Sequence, residues 1–264
     1  MNLDFHTAKA LLEWQSELGA DEAIGDEPIN RYEEVALAPI MSATAGAPIQ
    51  VPMLEAEQGP DPVVAAGQVA AAAGDLAGLR AALEQFDLCE LRQGARNLVF
   101  CDGLPKAKVM IIGEAPGREE DQQGKPFVGS AGQLLDRMLD AIGLSRSSMD
   151  PKTAVYVTNI LPWRPPQDRD PSADEIAMML PFIERHIALA APEFVVLMGN
   201  IPCQAFLGRK GIARLRGQWV EVAGRPALPM FHPTQLLRNP ILKREAWADL
   251  LALKARIGVP AVGR

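Results

Sequence analysis

From residue 86 onward, four short, mostly apolar runs recur along the chain, at 107–112, 154–158, 193–198 and about 227–231. Val109-Met110-Ile111-Ile112 has no polar face, as expected of a strand covered on both sides. Between these runs the apolar residues change to helical spacing. The stretch from Gly132 carries Leu134, Leu135, Met138, Leu139 and Ile142. The next opens on Ser172-Ala173-Asp174-Glu175 after Pro171, a capping box. A short helix is predicted over 201–207 and a longer one over roughly 239–257. Strands alternating with helices predict a parallel sheet between helical layers. The fold class is therefore α/β, a three-layer α/β/α arrangement around a four-stranded, mainly parallel sheet. The chain before this region reads differently. Phe5, Ala8, Leu11, Leu12 and Leu18 predict an amphipathic helix over 5–18, and 36–66 is rich in Ala and Pro without a period, the pattern of a disordered linker. AAGQVAAAAGDLAGLRAALEQF suggests one or two short helices leading into the core. The domain boundary implied is 1–85 for a helical and disordered extension and 86–264 for the α/β domain.

Charge sharpens that division. The net charge is −7, which argues against a polyanionic partner until its distribution is considered. Residues 1–85 hold 14 acids and 3 bases, whereas 86–264 hold 19 acids and 23 bases, so the α/β part is mildly basic. There is no run of about 18 apolar residues, hence no expected membrane span. The first residues carry charges throughout and lack the apolar centre of an export signal. Cys89, Cys101 and Cys203 are unclustered and odd in number, which suits a reducing cytoplasm.

The unusual residues cluster at the predicted C-terminal ends of the strands, where open α/β sheets bind ligands. They are GEAPG from Gly113, Thr158-Asn159, Met198-Gly199-Asn200 and His232-Pro233-Thr234. The first loop is not a phosphate loop, because Pro126 follows Gly124-Lys125 and removes a backbone donor. Nor does it suit a dinucleotide, since Glu119-Glu120-Asp121 would repel a pyrophosphate. Such a loop could instead wrap a flat neutral ring, with small residues admitting backbone N–H groups and Phe127 offering a face.

GEAPG, Glu120-Asp121, GKPFVGSAGQLLD, TNILPWRPPQDRDP and HPTQLLRNPILKREAWADL together resemble the uracil-DNA glycosylases, specifically the bacterial family 4 type, over roughly residues 86–257. The resemblance implies hydrolysis of the bond between uracil and deoxyribose in DNA, the first step of base-excision repair, on a base flipped from the helix. It implies that Phe127 stacks on uracil, that Asn159 reads its polar edge, and that Gly113, Ala115 and Gly117 shape the pocket. His232 becomes the donor that quiets the departing anion, and Glu114 the carboxylate that positions water, a role Asp121 or Glu120 could share. Thr234, Leu236, Leu237 and Arg238 fall in the DNA-binding segment, with the leucines placed either as a wedge or as a buried helix start. Arg214 and Arg216 stand in a basic loop, 209–217, that could touch phosphates or be a solvated face. A related family traps uracil on a loop histidine, and this loop has none, so turnover is expected. Uracil-containing DNA, single- or double-stranded, is the expected partner, and the protein is expected to be a cytoplasmic monomer.

The resemblance also carries an iron-sulfur cluster on four cysteines. Only Cys89 matches a ligand position here, the others being Phe86, Trp163 and Met179, and one thiolate cannot hold a four-ligand cluster. The expectation from sequence is therefore no cofactor and no metal. Two other readings are compatible with the fold: a DNA or modified-base binding protein without catalysis, and a hydrolase of free nucleosides or nucleotides.

Overall fold

A computed structural model describes residues 61–258. In chain order these form α1 (Pro62–Ala72), α2 (Leu76–Gln85), α3 (Leu91–Gly94), β1 (Asp102–Gly103), β2 (Val109–Gly113), α4 (Arg118–Gln123), α5 (Ser130–Asp140) and β3 (Val155–Asn159). After β3 come α6 (Ala173–Ala190), β4 (Phe194–Met198), α7 (Asn200–Leu207), α8 (Ile212–Leu215), β5 (Val220–Val222), β6 (Arg225–Met230), α9 (Pro233–Arg238) and α10 (Lys243–Ile257). The predicted helix 5–18 and most of the predicted linker 36–66 lie outside the described residues; 61–66 forms the cap and first turn of α1.

The four apolar runs are parallel neighbours in the order β3-β2-β4-β6. Gly113 at the end of β2 is opposite Asn159 at the end of β3, so the two residues emerge side by side. The sheet nevertheless has six strands, not four, because β1 pairs antiparallel with β3 and β5 antiparallel with β6. β5 and β6 form a hairpin turning through Ala223 and Gly224, both at positive φ. That turn lacks the Asn-Gly or Asp-Gly signature that would have announced it.

Alternation along each strand divides the interior. Met110, Ile112, Tyr156, Val195 and Leu197 face a core with α1, α2 and α6. Val109, Ile111, Val155, Val157, Val196 and Met198 face the other, with Leu135 and Leu139 of α5 and Leu250 and Leu253 of α10. The capping box opens α6 as expected: Ser172 Oγ accepts from the Glu175 N–H at 3.1 Å, and the Glu175 carboxylate accepts from the Ser172 N–H at 2.7 Å. His186 of α6 is buried, stacked 4.5 Å from Phe100 and bonded to the Tyr156 hydroxyl at 2.8 Å. Burial pushes its pKa down to about 3, so it is neutral and structural.

The helices ahead of residue 86 belong to this body. Ala66, Ala70, Leu79 and Leu83 are buried in the core, and Arg185 of α6 donates two hydrogen bonds, 2.9 and 2.6 Å, to the Ala73 carbonyl at the end of α1. The described residues on both sides of position 85 fall in one compact unit, with α1 and α2 packed into its core. A protein beginning at Phe86 is expected to melt well below one beginning at Asp61, since burial of Leu79 and Leu83 is worth about 2 kcal/mol each. Thermal melts of the two proteins compare them directly, and equal midpoints would remove α1 and α2 from the folding unit.

Candidate functional site

A cavity of about 420 Å³ opens at the C-terminal ends of the parallel strands, where the chain crosses from one side of β2 to the other. Glu114, Ala115 and Gly117 from the loop after β2, Phe127, Asn159, His232 and Thr234 all line it. Its far wall is the segment Pro165–Pro171, including Asp168, Arg169 and Asp170.

Gly113 lies beneath the meeting point of two of these side chains. A Cβ at that position would collide with the Asn159 amide oxygen and stand 2.6 Å from the Phe127 ring. The missing side chain is thus what allows the amide and the ring to converge. Asn159 is only 3% exposed, and no other described residue hydrogen-bonds to its amide. Its donors and acceptor are left for whatever enters the cavity. Phe127 is buried, with its ring 5.4 Å from that of His232 at a tilt of 33°.

His232 caps α9. Its Nδ1 accepts from the Thr234 N–H at 3.2 Å, so the neutral ring carries its proton on Nε2. Burial pushes its pKa down to about 4, although one edge of the ring opens to the cavity. At neutral pH the residue is therefore an uncharged Nε2–H donor.

Glu114, also a lining residue, is held at the start of α7. Its Oε1 accepts from the backbone N–H of Asn200 at 2.8 Å and of Ile201 at 3.4 Å, at the start of α7. Gly199, at φ +101°, makes this approach possible, because a side chain there would overlap the carboxylate. Burial raises the Glu114 pKa, the Ile201 and Asn200 N–H groups pull it back, and the Asp170 charge adds to the rise; the net direction is upward. The neighbouring Cys203 thiol is pushed up to about 12 by burial and by the Glu114 charge, so it is no nucleophile.

Glu120 also lines the cavity but is tied to the loops. One oxygen accepts from the N–H groups of Val128 and Gly129 at 2.9 Å each, and the other from Gly117 at 3.2 Å. A catalytic part for Asp121 does not fit its placement: it lies outside the cavity, and its carboxylate accepts from the Arg96 and Asn97 N–H groups at 2.8 and 3.2 Å. Leu236 is 1% exposed in the core, so it forms the buried helix start and not a wedge. Leu237, 40% exposed, remains at the surface beside Arg238, which lines the cavity mouth. Arg214 is exposed on α8. Arg216 is not available as a phosphate grip, because its guanidinium is bonded to both oxygens of buried Asp249 and to the Glu245 carbonyl.

The wall 165–171 was missed as a source of lining residues. It holds its shape through paired hydrogen bonds of Arg164 with Asp168, 2.7 and 3.0 Å, and of Arg169 with Glu175, 2.9 and 2.6 Å. The prolines and charges of Pro165-Pro166-Gln167-Asp168-Arg169-Asp170 were visible, but nothing in their order says which cavity they face.

This site on this sheet is that of a superfamily. Residues 100–251 match the uracil DNA glycosylase superfamily, and the chain belongs to it. Within it the similarity is to type-4 enzymes. The type-4 uracil-DNA glycosylase of Sulfurisphaera tokodaii is 36% identical over 166 residues, covering 59% of this chain and 73% of the relative. That of Pyrobaculum aerophilum is 34% identical over 185 residues, covering 67% and 91%, and that of Archaeoglobus fulgidus is 36% identical over 170 residues, covering 61% and 82%.

These relatives correct the expectation on cofactors. They are type-4 uracil-DNA glycosylases, a type that binds a 4Fe-4S cluster, and this overturns the expectation of no cofactor. At the four positions that the resemblance gives to the ligands stand one thiol, Cys89, and the buried side chains of Phe86, Trp163 and Met179. Among the described residues no three His, Cys, Asp or Glu gather as a metal site. That set does not fit four-thiolate ligation, and no step below passes through a cluster. Among the described residues, too, no helix is long and apolar enough to cross a membrane.

Proposed function

We infer that the protein is a uracil-DNA glycosylase, a hydrolase that cuts the N-glycosidic bond of uracil in DNA and so begins base-excision repair. The observation that carries the residue roles is the convergence of an unengaged amide, an aromatic face and a neutral imidazole in one cavity that the Glu114 carboxylate also lines.

The base leaves the stack and enters between these groups. Phe127 stacks on its face. The Asn159 amide accepts from uracil N3–H and donates to O4, a pattern cytosine cannot match. As the bond from N1 to C1′ breaks, electron density moves onto the ring, and the His232 Nε2–H donates to O2 where the charge accumulates. Glu114 works on the sugar side. Its carboxylate offsets the positive charge growing at C1′ and accepts a hydrogen bond from the attacking water, whose oxygen ends on C1′ while its proton passes to the carboxylate and from the site to the departing uracil anion. Two backbone N–H groups hold Glu114 Oε1 and leave Oε2 to that water. Acids outnumber bases among the lining residues, which suits a neutral base and opposes a phosphate inside the cavity. This supports a polymer substrate with its phosphates outside over a free nucleotide. Arg238 and exposed Leu237 at the mouth support contacts to the strand and to the gap left by the base, on single- or double-stranded DNA alike. The enzyme acts as a monomer in the cytoplasm, a setting in keeping with its free cysteines.

The test is incubation with single- and double-stranded oligonucleotides containing one uracil, followed by alkali. Strand cleavage at the uracil is expected. Binding without cleavage would favour a non-catalytic binder, and activity confined to free nucleosides would favour the nucleoside hydrolase.

The pH profile follows from the same groups. Glu114 must be ionised, and its pKa is raised, so turnover falls as pH drops through a value above the usual carboxylate range. His232 stays neutral down to about 4 and adds no limb near its ordinary value. Single-turnover rates against pH should show this acid limb in the native protein and lose it in Glu114→Gln. A limb near pH 6.5 that vanishes with His232 would contradict the assignment.

A further inference from the structure

We propose that Arg146 is the positioning residue that holds Phe127 beneath the flipped base. Arg146 stands in the connection between α5 and β3, about twenty residues from the loop it grips, and lines no part of the cavity. Its Nη2 donates to the Phe127 carbonyl at 2.7 Å and its Nη1 to the Pro126 carbonyl at 3.0 Å. The other side of the same guanidinium is anchored on α5: Nε to Asp136 Oδ1 at 2.8 Å and Nη2 to Asp136 Oδ2 at 2.7 Å. Asp102 of β1 stands 3.4 Å from Nη1. One planar fork thus ties two consecutive carbonyls to a carboxylate on a rigid helix.

The grip has something to restrain. Phe127 sits at φ +53°, in the left-handed region that a bulky residue avoids unless its surroundings hold it there. Gly132 on α5 lets the loop come so close that any Cβ there would overlap the Phe127 carbonyl. This conformation sends the ring toward Gly113 and His232. Released, the backbone would relax to negative φ and carry the ring away from the face of the base. Lysine keeps the charge of Arg146 but cannot bridge two carbonyls and a carboxylate at once.

The proposal rests on the reading of Phe127 as the stacking surface, so Phe127→Leu is the benchmark. Arg146→Ala, Arg146→Lys and Asp136→Asn are made in the full chain. Four quantities are measured: excision from a uracil oligonucleotide, inhibition by free uracil, affinity for an abasic-site oligonucleotide and melting temperature. Both Arg146 variants are expected to lose about 100-fold in kcat/KM. They should also weaken inhibition by free uracil as Phe127→Leu does, and leave abasic-site affinity unchanged. Asp136→Asn should move the same way by less, and with Arg146→Lys it carries the test if Arg146→Ala does not fold. Arg146 variants that lose melting temperature but keep native inhibition by free uracil overturn the proposal and leave Arg146 merely structural. A Phe127→Leu protein with native inhibition by free uracil overturns the stacking reading itself.

Discussion

His232→Ala is expected to lower the single-turnover rate of uracil excision by about 100- to 1000-fold while leaving affinity for abasic-site DNA intact. The rate loss follows from what the ring does and when. Nε2–H is the ring's only donor, because Nδ1 is occupied as the acceptor for the Thr234 N–H. It meets little charge on O2 in the intact nucleotide and much more as the base departs, so its removal falls on kcat more than on KM. A pKa near 4 makes the donor neutral, which matters because a neutral donor needs no counter-charge in a buried site. The substitution also removes the cap of α9, at a stability cost of about 1 kcal/mol, so melting temperature should be recorded alongside. His232→Gln, which can still donate, should recover part of the rate. Undiminished turnover in His232→Ala would take the residue out of the mechanism.

Asn159→Ala is expected to reduce uracil excision further, on the order of 1000-fold, by removing two hydrogen bonds to the seated base worth about 2 kcal/mol each. The residue is 3% exposed and its amide is unengaged, so water cannot fully replace it once the base is seated. Because Asn159 also fixes which edge is admitted, Asn159→Asp should trade activity for selectivity. A carboxylate accepts where the amide donated, so uracil O4 is repelled and the amino group of cytosine is accepted. Paired assays on uracil and cytosine oligonucleotides would show a falling ratio between the two rates. A ratio that stays at its native value would place base selection elsewhere, with the 165–171 wall as the next place to look.

The strand ends were legible because of what strands in a parallel sheet must be. Val109–Ile112, 154–157 and 194–198 are apolar without interruption, a pattern that two-sided burial explains, and the breaks after them mark the edge where a ligand can sit. Gly113, Asn159 and His232 could be named for that reason, and the structure brings them together. β1 and β5 were not legible, being two and three residues long and defined by pairing with distant partners, not by any period of their own.

Side chains of the same type separated in ways their spacing does not encode. Glu114, Glu120 and Asp121 lie within eight residues, yet one is held at the start of α7, one ties two loops and one supports the 96–97 turn. Leu236 and Leu237 are adjacent, and helix α9 turns one into the core and the other outward. Arg146 gave no signal, because the loop it grips is held through backbone carbonyls, which every residue carries, and its carboxylate partner Asp136 lies on a different element.

The order of elements, the burial of the strands and the short list of chemically able residues are properties of the chain read locally, since periodicity and turn chemistry act over a few residues. Which carboxylate is free, which leucine is exposed and which arginine braces Phe127 were decided only by tertiary structure. Hydrogen bonding pairs most buried polar groups with whatever distant group the fold delivers to them, and that partner is not written beside them in the sequence.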